Sequence, residues 1–176
     1  MASESSPPPG APVPPPLAAG AAARPGSRRL PMLLRCCWYN LNQTFRRRIA
    51  DLGVTPDQFT ALRSLVEAEP EGLTQSRLTK VMNSDPNTIA SLVERMEAIG
   101  WIERRPHATD RRAKCIRLLP PGRAKHEAAR SIALVLQTEI LSVLPDAKRE
   151  EFLDHLEQVG AACQRVAERV PADAAD

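Results

Sequence analysis

Apolar side chains recur every three or four residues along most of this chain, which is the spacing of amphipathic α-helices. A further short helix is predicted to open at residues 73–78, before a break at residues 83–86. Residues 101–106 and 114–119 read instead as two short strands joined by a loop. The pattern therefore predicts a mainly α protein with one small β-hairpin. The long helical segments are residues 31–52, 56–68, 87–99 and 121–144. After a break at residues 145–146, a last helix carries the apolar side chains between residues 152 and 170.

The helix predicted at residues 87–99 begins with clear local signals. Asp85 is a good N-cap because its carboxylate can accept a backbone N–H of the first turn, and Pro86 suits the first helical position. One face of this helix is an apolar stripe formed by Ile89, Leu92, Val93, Met96 and Ile99. The opposite face carries short polar groups and one long cation, namely Asn87, Thr88, Ser91 and Arg95. Such a face can enter the major groove of DNA and form hydrogen bonds with base edges.

The predicted hairpin is strongly basic. Between residues 103 and 117 there are six cations, Arg104 among them, against two anions, which favours contacts with phosphate groups. A protruding arginine also suits the narrow, electronegative minor groove of A·T-rich DNA. Asp110 at the tip is expected to pair with a neighbouring arginine and hold the loop. The expected DNA contacts of this hairpin, the wing, are Arg105, Arg111, Arg112 and Lys114.

Helix, turn, helix and basic hairpin, in this order, predict a winged helix-turn-helix that binds double-stranded DNA. An enzyme is an alternative from another class, but the chain has no G-x-S-x-G, no phosphate-cradling glycine loop and no paired His and carboxylate at motif spacing. A protein-docking winged helix would predict a neutral or acidic hairpin. We therefore expect no catalytic residue and no cofactor. The widely scattered histidines predict no metal site.

The same segments resemble those of the multiple-antibiotic-resistance regulator (MarR) family over about residues 30–170. The order of the matching pieces makes the resemblance specific, although each piece is short. Two positions depart from the family pattern, because Pro120 replaces the usual Thr after the wing and Pro86 opens the recognition helix. The matching pieces are residues 52–59 (LGVTPDQF), 73–75 (LTQ), 92–97 (LVERME), 100–104 (GWIER), 110–112 (DRR) and 118–122 (LLPPG).

The resemblance implies a dimeric transcription regulator, usually a repressor, and a two-fold dimer binds a pseudo-palindromic operator. Long amphipathic helices at both ends of the chain are expected to form a two-fold interface, since a winged core alone would not cover them. Members are often released from DNA by a small aromatic acid bound between the dimer helices and the winged core. The residues expected to line such a pocket are Trp38, Tyr39, Arg46 and His155.

Oxidation of a thiol in the first helix is the alternative release mechanism. Cys37 and Cys163 lie on apolar stripes and are expected to be small core residues. Cys36 is the best candidate for an exposed thiol, and aromatic residues follow it, as they follow the reactive cysteine in the peroxide-sensing branch of the family. Arg35 does not face Cys36 on a helix, so release by a ligand is preferred.

The first 30 residues contain two proline triplets and no apolar periodicity, which predicts a disordered arm. They lack the basic start and apolar core of a secretory signal, and no window is apolar enough for a bilayer, so we expect a cytoplasmic protein without membrane contact. The net charge of +3 is mild, so the DNA-binding prediction rests on where the cations lie. The expected boundaries are 1–30 for the arm, 31–54 and 121–170 for the helical dimerisation region, 55–120 for the winged DNA-binding domain and 171–176 for a disordered tail.

Overall fold

The structure is a computed structural model that describes residues 29–106 and 114–169. It is mainly helical with one small sheet, which confirms the predicted fold class. The chain divides between Thr44 and Phe45 into two compact units. In chain order the elements are α1 (Arg29–Arg48), a 3-10 turn (Ala50–Leu52), α2 (Pro56–Glu67), β1 (Leu73–Thr74), α3 (Gln75–Val81), α4 (Pro86–Ala98), β2 (Ile102–Pro106), β3 (Lys114–Leu118), α5 (Pro120–Leu141) and α6 (Asp146–Arg169).

The hairpin belongs to a three-stranded antiparallel sheet with the strand order β1-β3-β2. Leu73 and Thr74, predicted to open a helix, instead form β1, and Leu73 pairs with Ile116 of β3. The prediction is wrong here because a two-residue strand is too short to show an alternating pattern. Gly72 permits the close approach of the strands, since a Cβ atom on it would lie 2.4 Å from the carbonyl oxygen of Ile116.

The core of the second unit is built around α4. Its predicted apolar stripe is buried at Ile89, Leu92, Val93 and Met96. The surrounding elements contribute further fully buried side chains, among them Leu62, Leu65, Leu78, Ile102 and Ile116. Ile99, predicted to continue the stripe, is 51% exposed. It is the C-cap residue, where the backbone has already left the helical conformation, so the helical spacing no longer determines its direction.

Side-chain caps fix where α2 and α4 begin. Thr55 Oγ1 accepts the N–H of Gln58 at 3.2 Å, and the Gln58 side chain accepts the N–H of Thr55 at 2.9 Å, which makes a capping box. Asp85 Oδ1 accepts the N–H of Thr88 at 2.9 Å, and Pro86 occupies the first position of α4. The cap predicted at Asp85 is confirmed.

Two long helices end earlier than their apolar spacing predicts. The helix α1 ends at Arg48 rather than at Leu52, and the chain continues as a 3-10 turn. The helix α5 ends at Leu141 rather than at Leu144. Arg149 of α6 donates from Nε to the Leu141 carbonyl oxygen at 3.0 Å, and so provides a partner for a carbonyl group at the end of α5.

The first turns of α5 are fixed to the base of the wing. A Cβ atom on Gly122 would lie 2.3 Å from the carbonyl oxygen of Trp101, so only glycine permits this close packing. Lys125 Nζ donates to the carbonyl oxygen of Leu52 at 2.7 Å and lies 6.0 Å from the centre of the Trp101 ring. These contacts connect α5 both to the 3-10 turn and to the residue that precedes β2.

The second half of α5 and the whole of α6 leave their apolar side chains largely uncovered. None of the 24 residues of α6 is buried within the described part of the chain. Both helices have the apolar face that their sequence predicts, and this face lacks a covering layer among the described residues. The exposed apolar side chains of this region are Leu134, Val135, Ile140, Val143, Phe152, Leu156 and Val166.

The cysteines differ in burial from the sequence-based expectation. Cys37 and Cys163, predicted to be core residues, are exposed, whereas Cys36, predicted to be exposed, is half-buried. The Asn40 side chain donates to the Cys36 carbonyl oxygen at 3.0 Å and lies 3.3 Å from its Sγ. Cys115 is buried in β3, where its Sγ donates to a backbone carbonyl oxygen at 2.8 Å. Helical spacing identifies which residues share a face, but not whether another element covers that face.

Candidate nucleic-acid interface

The polar face of α4 is exposed along its whole length. Opposite the buried stripe, the four predicted base-contacting residues are all exposed, and the helical spacing places them on one side of α4. Their side chains offer hydroxyl, amide and guanidinium groups on a surface that no other described element covers. These four residues are Asn87, Thr88, Ser91 and Arg95.

The N-terminus of α4 already has an anionic partner. Hydrogen bonds from Thr88, from its side chain and then from its backbone, hold the pKa of Asp85 below its usual value. The Asp85 carboxylate is therefore ionised at neutral pH and lies at the positive end of the helix dipole. Because this carboxylate accepts the N–H groups there, a DNA phosphate is not the expected ligand of the α4 N-terminus.

The turn between α3 and α4 places the two helices side by side. Asn83 has a positive φ of 47°, a conformation that asparagine tolerates better than most residues. A depression of about 140 Å³ lies beside this turn, and Thr88 and Arg95 of α4 are among its lining residues. The polar face of α4 is therefore continuous with the surface of the turn.

Two exposed cations of α3 were not singled out by the sequence pattern. Arg77 and Lys80 lie on α3 and are exposed. The first helix of a helix-turn-helix crosses the DNA backbone, which makes its exposed cations candidates for phosphate contacts. The sequence signal for this contact is the pair of basic residues in a short helix that precedes the recognition helix.

In the described part of the wing, one of the predicted DNA-contacting cations is paired with an acidic side chain. Arg105 Nε lies 2.7 Å from Glu103 Oε1, and 60% of the Arg105 side chain remains exposed. Lys114 is exposed at the start of β3, opposite Pro106, and Arg117 is exposed opposite Glu103. The predicted tip residues Asp110, Arg111 and Arg112 lie outside the described residues.

Arg104, one of the six cations in the hairpin sequence, is paired with an acid on α4. Its guanidinium group donates to the carboxylate of Glu97 on α4, from Nε at 2.8 Å and also from Nη2. This ion pair could not be predicted from the sequence, because its partners are seven residues apart on two different elements. The wing thus presents Arg105, Lys114 and Arg117 outward in the described ranges, while Arg104 contacts the recognition helix.

The predicted ligand-pocket residues lie on two helices. Trp38 and Tyr39 lie on α1, where Trp38 is exposed and Tyr39 half-buried. Arg46 is exposed in the last turn of α1, and His155 is exposed on α6. The pocket and the role of Cys36 stay predictions.

The sequence did not predict that His126 is buried. His126 of α5 is only 4% exposed and stacks on Phe59, with the ring centres 5.6 Å apart. Its Nδ1 lies 3.3 Å from the Glu127 carboxylate, but without the geometry of a hydrogen bond. Phe59 in turn meets Phe45 edge-on at 5.0 Å, so His126 packs as the third ring of an aromatic cluster beneath α5.

The described ranges contain neither a single helix suited to cross a membrane nor a cluster of side chains suited to bind a metal. No single helix there combines the length and apolar character needed to cross a bilayer; α5 and α6 pass such a test only as a pair, and they are bent by 109° relative to each other. No group of three or more His, Cys, Asp or Glu side chains in residues 29–106 and 114–169 is arranged to hold a metal ion.

The packing of α2, α3 and α4 against a small sheet whose hairpin follows α4 defines a winged helix-turn-helix protein. Residues 54–114 match the sequence model of the MarR family. Residues 54–114 are therefore a MarR-family domain, as the sequence segments in this range indicate.

Three known proteins illustrate the relationship. The chain is 31% identical over 107 residues to a Thauera aromatica protein described as a transcriptional regulator for the hcr operon, over 61% of this chain but only 63% of that protein. It is 29% identical over 131 residues to the transcriptional repressor MprA of Escherichia coli strain K12, over 73% of this chain and 72% of MprA. The fold is similar to that of Staphylococcus aureus MepR in its DNA complex, with a TM-score of 0.67, 25% identity and coverage of 74% and 95% of the two chains. Both sequence relatives are named as transcription regulators and neither as an enzyme.

Proposed function

We propose that this protein is a transcription regulator that binds double-stranded DNA, with α4 in the major groove and the wing against the adjacent backbone and minor groove. The observation that carries the proposal is the exposed polar face of α4, opposite a fully buried apolar stripe and followed by a basic sheet. A helix-turn-helix presents its second helix to base edges in this way. MepR, a protein of similar fold, forms a complex with DNA, which supports DNA as the partner here.

The base-reading part of the proposal is tested by one substitution on α4 and a matched control on α6. Arg95→Ala removes a cation from the polar face of α4 and should change preference at particular bases by about 1–3 kcal/mol. Arg165→Ala removes an equally exposed cation from α6, outside the proposed interface, and should leave base preference unchanged. Binding-site selection with both variants decides the point. Equal loss of affinity for every sequence in Arg95→Ala would make Arg95 a phosphate contact instead.

The phosphate contacts are proposed to come from both the wing and α3. The candidate cations are Arg77, Lys80, Arg105, Arg111, Arg112 and Lys114. Each phosphate that a cation neutralises should contribute about 0.9 to the slope of log affinity against log salt. A gel-shift series over salt concentration measures this slope, and a flat dependence would contradict the basic interface.

The regulator is further proposed to be a two-fold dimer on a pseudo-palindromic operator. The exposed apolar side chains of α5 and α6 support this, because a helix with an uncovered apolar face is stabilised by a second copy. Two recognition helices should then protect half-sites about 34–36 Å apart, or a multiple of this distance. Footprinting together with sedimentation tests the proposal; a monomer that protects a single isolated half-site would refute it.

We propose that the protein represses transcription, as the relative MprA is named to do, and that an aromatic carboxylate releases it from DNA. Such a ligand can act only if it binds the form that does not bind DNA more tightly. Salicylate at high concentration should weaken the gel-shift and raise the melting temperature of the free protein. Trp38→Ala and His155→Ala test the predicted pocket.

Thiol oxidation is the alternative release mechanism. Cys36 is half-buried and its Sγ lies 3.3 Å from the Asn40 side-chain nitrogen, while its neighbour Cys37 is exposed. Peroxide should then weaken DNA binding in a way that dithiothreitol reverses, and Cys36→Ser should abolish the response. A protein that ignores salicylate but shows this behaviour would replace the ligand mechanism by the redox one.

A further inference from the structure

A carboxylate on α4 and an arginine on β2 are joined by several hydrogen bonds. Glu97 Oε2 accepts from the Arg104 guanidinium group, through Nε at 2.8 Å and through Nη2. Glu97 Oε1 accepts the backbone N–H of Arg104 at 3.1 Å. One carboxylate therefore holds both the side chain and the main chain of Arg104, in the first strand of the wing.

The pair is partly shielded from solvent and electrostatically favourable. The side chains of Glu97 and Arg104 are 33% and 29% exposed. Hydrogen bonding from Arg104 is the main reason that the pKa of Glu97 is lowered, and the positive charge of Lys114 acts in the same direction. The pKa of Arg104 is raised by Glu97, with a smaller contribution from Glu94. Both groups are thus charged over the whole neutral range.

The position of this pair matters more than its strength. The partners lie on the C-terminal half of α4 and in the middle of β2, so they connect the helix proposed to read the major groove to the wing proposed to contact the backbone. Charge-assisted hydrogen bonds of an arginine fork to one carboxylate fix direction as well as distance. A link of this kind restricts the angle between α4 and the wing.

We propose that Glu97 and Arg104 are positioning residues for DNA binding, which hold the wing at a fixed angle to α4 so that both can contact one DNA site together. Arg104 acts through Glu97 and does not contact phosphate. The inference rests on the proposed DNA-binding function and deepens it. A fixed angle lowers the entropy cost of ordering the wing when DNA binds. The pair therefore raises the affinity for DNA without contacting it.

Substitution of the Glu97 carboxylate distinguishes this role from a phosphate contact, because the two roles predict changes of opposite sign in the affinity for DNA. If Arg104 contacted phosphate, Glu97→Gln would release it and strengthen binding. A positioning pair predicts the reverse. Glu94→Gln is the matched control, since Glu94 is an exposed acid on the same helix and its loss measures the effect of the removed charge alone. Relative to Glu94→Gln, we expect Glu97→Gln to raise the Kd for operator DNA about fivefold.

Arg104→Met completes a double-mutant cycle with Glu97→Gln. The two losses should not add, because either substitution breaks the same pair. The salt slope should stay at the wild-type value in Arg104→Met, whereas a lost phosphate contact would lower it by about 0.9. The ratio of specific to non-specific affinity should fall in both variants, which loss of stability alone would not cause while the protein remains folded.

Hydrogen exchange on the free protein supplies a test that does not require DNA. Glu97→Ala removes the oxygen that accepts the backbone N–H of Arg104. In this variant the Arg104 amide should exchange faster than in the wild type, while the amides within α4 stay unchanged. Unchanged exchange at Arg104, additive losses in the cycle, or stronger binding by Glu97→Gln than by Glu94→Gln would overturn the positioning role. Failure of the wild-type protein to bind any DNA would instead refute the proposed function, and exchange at Arg104 would still decide whether Glu97 holds the wing.

Discussion

The helices α4 and α6 have the same kind of sequence pattern, but α4 buries its apolar face and α6 leaves its apolar face exposed within the described chain. Both show apolar residues at three- and four-residue steps with polar residues between them. The shorter one, α4, has 13 residues and buries Ile89, Leu92, Val93 and Met96. The longer one, α6, has 24 residues and buries none within the described chain.

The difference shows what an amphipathic pattern determines. Periodicity fixes that a segment is helical and which side is apolar, because both follow from 3.6 residues per turn. What covers that side depends on the other elements within reach. Three neighbours of α4, namely α2, α3 and the sheet, come together around it, so its stripe lies in the core. The apolar side of α6 is left for a partner, which we propose to be a second copy.

The largest expected effect is in the core beneath α4. Ile89→Ala should lower the free energy of unfolding by about 2–5 kcal/mol, because it leaves a cavity in a fully buried site. Ile99→Ala is the matched control, since Ile99 is 51% exposed and should change the free energy of unfolding by no more than about 0.5 kcal/mol. Urea unfolding of both variants measures the difference. Equal losses would contradict the distinction drawn between a buried stripe and an exposed C-cap.

The second effect concerns the uncovered face of α6. Leu156→Ala should weaken the proposed dimer by about 1–2 kcal/mol, because it removes part of the exposed apolar surface that a second copy would cover. Gln158→Ala, on the same helix, should leave the dimer dissociation constant unchanged. Sedimentation equilibrium over protein concentration compares the two. An unchanged dissociation constant in Leu156→Ala would mean that another surface forms the dimer.

A smaller effect is expected at the start of α2. Thr55→Ala removes the hydroxyl that caps the helix and should cost about 1 kcal/mol in the free energy of unfolding. Thr55→Ser keeps the hydroxyl and should restore most of this stability. Thermal unfolding of the pair provides the measurement. If serine behaves like alanine, the loss arises from the methyl group of Thr55 and not from the cap.

The smallest effect is a dependence of stability on pH. The pKa of Glu97 is lower in the folded protein than in the unfolded chain, so its contribution is fully present above the unfolded pKa of about 4.3. This contribution is lost as the pH falls through the lower, folded pKa. Stability of the wild type should therefore fall more steeply below about pH 4.3 than that of Glu97→Gln. Parallel curves for the two proteins would show that the Arg104 contact does not stabilise the carboxylate.

Sequence alone predicted the winged part of the fold in considerable detail. The cap at Asp85, the buried stripe of α4 and both strands of the hairpin follow from local rules about hydrogen bonding and periodicity. The family followed from ordered short segments. Local signals also misled at defined points: Leu73 forms a strand only because β3 lies beside it, and Ile99 points outward because the helix has already ended.

The sequence determined the helices and the hairpin, their ends within a few residues and the polar face of α4, because these depend on interactions between neighbours along the chain. It did not determine β1 or the 3-10 turn. The tertiary structure alone decided which charges remain available. Arg104 and Arg105 are adjacent and chemically identical, yet one is turned onto Glu97 of α4 while the other remains 60% exposed beside Glu103. Successive residues of a strand point to opposite faces, so only the packing of α4 against one face of the sheet distinguishes a positioning residue from a cation available to DNA.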